Sequence, residues 1–242
     1  MKLIKLDAID STNDFLKDLS NQQNLDNFTV VSTKSQTNGK GQMGAKWVSE
    51  PHKNLIMSLM VIDFIDSVDD VFQLNVLAAL SVFSTLEMYN LPNLKIKWPN
   101  DIMSDSYKIG GILIENTLKS NGKINSIIGI GLNVNQIDFE NLPKASSMAK
   151  ISGNEFDIDQ LLIDIVNAIK TNFFDFKTNY NHHHKNYVRQ LFKIDIPMPF
   201  ANKQGEKFMG IIKNVNQKGF LEVLLEDDSI KLFDLKEIQM LY

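Results

Sequence analysis

Gly39, Gly41 and Gly44 recur within Gly39-Lys40-Gly41-Gln42-Met43-Gly44-Ala45-Lys46-Trp47, a spacing that lets backbone amides crowd an anion beside an indole. Such a loop suits a small charged molecule. The same Gly-x-Gly-x-x-Gly pattern is a dinucleotide fingerprint when it leaves a strand, opens into a helix and meets an acidic residue about 20 positions on. Here Lys46-Trp47-Val48-Ser49-Glu50-Pro51 follows, and a helix does not propagate through its proline. Leu55 to Ile62 is short, apolar and partly β-branched, which predicts a buried strand rather than a phosphate-capping helix. The dinucleotide reading is set aside.

Three further clusters carry chemistry. In Lys97-Trp98-Pro99-Asn100-Asp101 the proline holds Trp98 extended and cannot donate to a ladder. Strand pairing is expected to stop there, with polar side chains projecting from the strand end; a plain surface turn would look the same. Lys108-Ile109-Gly110-Gly111-Ile112-Leu113 sets a cation before two glycines and an apolar strand, a pattern shared by solvated strand starts. Gly129-Ile130-Gly131-Leu132-Asn133-Val134-Asn135 places glycines inside a strand pattern, where a ligand or another backbone approaches closely, or a bulge forms.

The elements that must position these clusters can be read around them. Asp10-Ser11-Thr12-Asn13-Asp14 offers caps for a short helix through Phe15-Leu19, with Asp10 read as a capping group. Phe28 to Thr33 is a strand that delivers the chain to the glycine loop. Val68 to Tyr89 predicts a helix apolar nearly all round, buried against a sheet. Leu94 to Trp98 alternates, placing Lys95 and Lys97 opposite Ile96 and Trp98. Lys108–Glu115 and Ser126–Val134 form a hairpin through the polar turn at 118–123. Asp157 and Gln160 suggest a capping box opening a helix to about Tyr180. Beyond Tyr187 the texture changes to short strands at 194–198, 210–215, 220–225 and 230–233, a small β-barrel or meander.

Composition excludes several classes. With 25 basic and 29 acidic residues and a net charge of −4, there is no overall positive field for nucleic acid. Without cysteine there are no disulfides and no thiolate chemistry, which fits a cytoplasmic site. The start of the chain lacks the apolar core of a secretory signal, and the apolar run near Val76–Leu80 falls short of a bilayer span. His182-His183-His184 invites a metal, but adjacent helical positions point about 100° apart and no carboxylate stands at ligand spacing, so a solvated helix end is expected.

In order and spacing the clusters resemble the catalytic domain of biotin protein ligases, whose patterns are Gly-Arg-Gly-Arg-x-Gly, Lys-Trp-Pro-Asn-Asp and Lys-x-x-Gly-Ile-Leu. The likeness begins at Asp10-Ser11-Thr12-Asn13, includes Gln36, and runs through Asn133 to Ala145-Ser146-Ser147-Met148. The resemblance implies an α+β fold like that of class II aminoacyl-tRNA synthetases. Residues 1–187 would form a mixed β-sheet with helices mainly on one face, and 188–242 an SH3-like β-barrel. It implies an enzyme that joins biotin to ATP as biotinyl-5′-AMP and passes the acyl group to a lysine of the biotin carboxyl carrier domain of a carboxylase. No winged helix is expected before Asp10, so a ligase without DNA binding is implied, and a homodimer by analogy.

By the same resemblance Lys108 is the catalytic cation, set between the biotin carboxylate and the α-phosphate. Ser11, Thr12 and Gln36 would meet the ureido ring, with Asn13 among the residues that bind biotin. Backbone amides around Lys40 and Gly41 would take the carboxylate, Gly39 and Gln42 are further biotin-binding residues, and Trp47 would pack on the apolar part of the ligand. Gly111, Leu113, Gly129 and Gly131 would complete the biotin pocket. ATP and the adenylate would meet Lys40, Gln42, Trp47, Lys97, Asn100, Asp101, Lys108 and Asn133, with Asp101 the residue nearest to Mg²⁺ through the phosphates. The chain departs from the family where Lys40 and Gln42 replace arginines and Ala45 replaces a basic residue, which implies weaker retention of the adenylate. A lipoate ligase would show Arg-Arg-x-x-Gly-Gly-Gly and lack Lys-Trp-Pro-Asn-Asp; a non-catalytic biotin sensor would not need Lys108.

Overall fold

A computed structural model describes residues 2–67, 70–118, 122–140 and 142–242. Strand β1 (Leu3–Leu6) runs parallel to β2 (Val30–Thr33), which pairs antiparallel with β3 (Asn54–Ile62). Between them α1 (Thr12–Gln22) starts at Ser11, whose hydroxyl accepts from the Asp14 N–H; Asp10 does not cap it but receives the Thr37 hydroxyl. Helix α2 (Val71–Glu87) is apolar enough to be enclosed, and Val68 of the expected helix lies outside the described residues.

Strand β4 (Leu94–Lys97) alternates buried and half-buried residues as expected. Pairing does not end at Pro99: the chain reverses there, with a cis Trp98–Pro99 bond, into β5 (Asp101–Ser104), so that Lys97 faces Asp101 across a hairpin. β6 (Tyr107–Leu118) and β7 (Ile124–Asn133) are the longest strands of the sheet, and of the turn expected between them residues 119–121 lie outside those described. The sheet order is β1-β2-β3-β7-β6-β5-β4, a mixed sheet because only β1 and β2 are parallel.

A short α3 (Met148–Ser152), capped by Ser147, precedes α4 (Ile158–Arg189), whose N-cap Asp157 accepts from the N–H groups of Asp159 and Gln160. The helix runs on past Tyr180 because Phe176 and Tyr187 are fully buried in its last turns, with one non-helical residue at Asn179. Helices α2 and α4 pack together on one sheet face, while Leu16 of α1 seats on Val31, Met60 and Ile127 of the other.

The chain then builds β8 (Pro197–Asn202), β9 (Lys207–Val215), β10 (Leu221–Leu225), β11 (Ile230–Phe233) and β12 (Ile238–Met240). They form a five-stranded antiparallel sheet in the order β11-β10-β9-β8-β12, as a small SH3-like barrel requires. This unit joins the larger one at Trp98, whose indole N–H donates to the Gly219 carbonyl at 2.9 Å. Gly219 sits at φ +91° against the Phe72 ring, a conformation and a space that suit only glycine. Among the described residues, no helix is long and apolar enough to cross a membrane.

Candidate active site

The sheet face that carries α1 also carries the site. Ile56 and Ser58 of β3 lie beside Gly131 and Gly129 of β7, which in turn lie beside Gly111 and Leu113 of β6. Over this floor opens a cavity of about 440 Å³, walled by α1, the glycine loop, the β4–β5 hairpin and the C-terminal sheet. The two glycines of β7 are close-approach positions: a Cβ on Gly131 would stand 2.5 Å from the Trp47 indole, and one on Gly129 would collide with the Asn13 amide.

At one end a relay of polar groups crosses three elements. The Thr12 N–H and hydroxyl both donate to Gln36 Oε1, at 2.8 and 3.1 Å. Ser58 Oγ lies 2.8 Å from Thr12 Oγ1 and 2.6 Å from Asn13 Oδ1. Asn13 Nδ2 donates to Glu115 at 2.7 Å. Ser11, Thr12, Asn13 and Gln36 line the cavity, and the first three are almost wholly buried.

At the other end stands a charged cluster. Asp101 holds Lys108 Nζ at 2.6 Å on one carboxylate oxygen and Lys97 Nζ at 3.2 Å on the other. The hairpin that carries Asp101 is fixed from behind, where Asn75 of α2 and the Tyr187 hydroxyl of α4 both donate to the Pro99 carbonyl, at 2.6 and 2.8 Å. Complete burial raises the Tyr187 pKa well above the usual phenol range and keeps it a donor. Asn100 donates its side-chain amide to the Ile112 carbonyl. Lys108 is clamped by its backbone, its N–H on the Lys144 carbonyl at 2.8 Å and its carbonyl on the Ser146 N–H at 3.0 Å.

The glycine loop between these ends is a small hairpin. Trp47 N–H bonds Gly39 O, Lys40 pairs with Lys46, and Gly41 N–H bonds Ala45 O at 2.7 Å. The Gly41 amide, expected to receive an anion, is therefore engaged within the loop. The Lys40 ammonium lies on Asp14 at 2.7 Å, a hydrogen bond that raises its pKa. Trp47 Nε1 is buried without an acceptor among the described residues.

Of the residues expected from sequence, two do not line the cavity. Gly39 is packed beneath the Trp47 main chain, where a Cβ would meet its carbonyl at 2.5 Å. Asn133 turns its amide to the Ser146 carbonyl at 3.0 Å, and so holds the segment that clamps Lys108. Sequence reading missed Ser58, on a strand read as core, and Glu115, two residues beyond the Lys108–Leu113 cluster on the same strand. It also missed Lys144 and the C-terminal wall of Leu235, Ile238, Gln239, Met240 and Tyr242. Lys144 Nζ lies 4.3 Å and Lys97 Nζ 5.6 Å from the centre of the Tyr242 ring. Burial raises the Tyr242 hydroxyl pKa, helped by the Asp101 charge.

The histidine run is not a solvated helix end. His183 pairs with Asp175 at 2.7 Å and stacks on Phe176, and His184 is half-buried against the C-terminal sheet. No group of three or more metal-ligating side chains occurs among the described residues, and both carboxylate oxygens of Asp101, the residue expected near Mg²⁺, are taken by lysines.

The chain resembles known proteins throughout this architecture. It is 34% identical over 181 residues to the bifunctional ligase/repressor BirA of Bacillus spizizenii, matching 73% of this chain and 55% of that protein. The chain thus spans about half the length of that relative. A biotin–[acetyl-CoA-carboxylase] ligase of Mycobacterium tuberculosis is 23% identical over 215 residues, 87% of this chain and 79% of that one. The structure of an Aquifex aeolicus biotin protein ligase in complex with biotin and ATP superposes with a TM-score of 0.81 at 27% identity, covering 99% of this chain and 98% of that one. The family profile described as biotin/lipoate A/B protein ligase matches residues 6–135, and the chain belongs to that family.

Proposed function

We propose that the chain activates biotin with ATP and transfers it to a lysine of a biotin carboxyl carrier domain. The observation that carries this reading is a cavity lined at one end by neutral hydrogen-bonding side chains, backed by the Glu115 carboxylate, and at the other by the Lys97–Asp101–Lys108 cluster. The relay suits a neutral urea and the cations suit phosphates. Trp47, lying on Gly131 between them, covers the apolar middle of a ligand.

In the first step a biotin carboxylate oxygen attacks the α-phosphorus of ATP. The O–P bond forms as pyrophosphate leaves with the electron pair. The two reactants are anions that repel, so the site acts by holding cations where negative charge gathers, with Lys108 nearest the reacting atoms. Mg²⁺, bound through the phosphates with Asp101 beside it, would neutralise the leaving pyrophosphate. In the second step the neutral acceptor amine attacks the acyl carbon, the amide forms, AMP departs and the amine loses a proton. The glycine loop and the C-terminal wall keep water from the mixed anhydride until that amine arrives. Tyr242 and the residues beside it make the C-terminal sheet part of the site, and the absence of cysteine fits a cytoplasmic location.

The test is biotin-dependent ATP–pyrophosphate exchange, then transfer to a purified carrier domain. Exchange with biotin but not with lipoate or octanoate supports the reading. No exchange at saturating biotin and Mg-ATP removes it, and exchange with lipoate alone moves the chain to the other branch of its family.

A further inference from the structure

Asn13 lies on the cavity floor over Gly129, and two groups that do not line the cavity hold its amide. Ser58 sits at Asn13 Oδ1, and Glu115 receives Asn13 Nδ2. A primary amide is nearly symmetric in shape, so its partners decide which end is oxygen and which is nitrogen. A carboxylate only accepts, and a flipped Asn13 would set its oxygen against those of Glu115.

The far end of the relay is fixed in the same way. The Thr12 N–H is a backbone donor that cannot rotate, and it holds Gln36 Oε1, leaving Gln36 Nε2 directed away from Thr12. The polarity of the whole chain of groups is thus imposed from two sides, by a main-chain donor at Gln36 and by an acceptor at Glu115. Glu115 occupies the same face of β6 as Gly111 and Leu113 and is half-buried, with the Asn13 amide on its carboxylate.

We propose that Glu115 is a positioning and specificity residue: through Asn13 it sets the donor pattern that the cavity shows to the urea of the ligand. This rests on the reading of the cavity as a biotin pocket. A urea presents one carbonyl acceptor between two N–H donors, and its complement needs a fixed order of donors and acceptors. Glu115 gives Asn13 that order, leaving the second Nδ2 hydrogen for the carbonyl oxygen of the ligand.

The experiment uses the full chain and a Glu115→Gln variant. A glutamine can donate or accept, so it releases Asn13 to take either orientation while keeping shape and packing. Calorimetric affinities are measured for biotin and for the analogue whose ureido oxygen is replaced by an imino group, with thermal midpoints and exchange kinetics alongside. Biotin should weaken about tenfold, seen in KM rather than kcat. The affinity ratio should move at least about fivefold toward the imino analogue, which offers a donor where biotin offers an acceptor. Parallel loss for both ligands assigns Glu115 to packing alone and overturns the proposal, as does a variant that binds both like the wild type. A wild-type chain that takes up neither ligand overturns the biotin reading itself, and this inference with it.

Discussion

Lys108 Nζ lies 2.6 Å from Asp101 Oδ1, and both side chains reach the same cavity. The cation thus has an ion-pair partner without any ligand, and it stands on a strand of the main sheet rather than on the glycine loop. Asp101 also takes Lys97, so one carboxylate is shared by two ammonium groups.

Lys108→Ala is expected to lower biotin-dependent ATP–pyrophosphate exchange by about 100- to 1000-fold. Lys108 is more than a third exposed on its side chain, so unfolding in denaturant should be almost unchanged. Lys108→Arg keeps the charge but not its compact geometry and should recover only part of the rate. Full exchange by Lys108→Ala would show that the charge acts elsewhere.

Gly131→Ala puts a methyl group 2.5 Å from the present position of the Trp47 indole, and the ring must move. Biotin affinity, measured by calorimetry, should fall by about tenfold or more, because the ring that covers the ligand loses its seat. An unchanged affinity would mean that Trp47 plays no part in retention.

Gln42 lines the cavity where the family carries arginine. A Gln42→Arg variant should release less free biotinyl-AMP per turnover than the wild type, since a guanidinium adds charge and a bidentate fork to the loop. Equal leakage from both proteins would refute this.

Gly219→Ala should destabilise the chain by about 1–3 kcal/mol in equilibrium unfolding. The residue has φ +91°, and an added Cβ would stand 2.7 Å from the Phe72 ring. The same change disturbs the carbonyl that receives Trp98, so the seam between the two sheets should loosen first.

Desolvation by burial lowers the His184 pKa below its usual 6.5, with the Val215 and Asn216 backbone and Glu222 opposing. Tyr180 and Phe72 face it as well. Because the unfolded chain then binds the proton more tightly, this contribution to stability is present above about pH 6.5 and is lost as the pH falls through the lowered value. Melting temperatures from pH 8 to 5 should drop more steeply for the wild type than for His184→Gln. Parallel curves would remove the role.

Local rules made much of this molecule readable. The Leu94–Trp98 alternation gave the buried side of β4, and the Gly129 and Gly131 pattern marked two close approaches that the structure contains. What lay hidden depended on residues far apart in sequence. Nothing near Pro99 announces that Asn75 and Tyr187 hold its carbonyl, or that the chain resumes pairing at Asp101. The resemblance assigned Asn133 to ATP, but the neighbouring segment claims its amide. The extension of α4 to Arg189 was masked by the polar run around His182, because the apolar anchors there, Phe176 and Tyr187, are separated by a break at Asn179. The C-terminal wall of the cavity has no local signature at all, since it arises only when one sheet docks on another.

The chain holds two tryptophans, and they occupy different functional stations. Trp47 rests on Gly131 at the cavity floor, while Trp98 is buried at the seam and bonded to Gly219. Intrinsic emission can therefore be split by position: the Trp47→Phe form leaves only the indole at the seam, and the Trp98→Phe form leaves only the indole over Gly131.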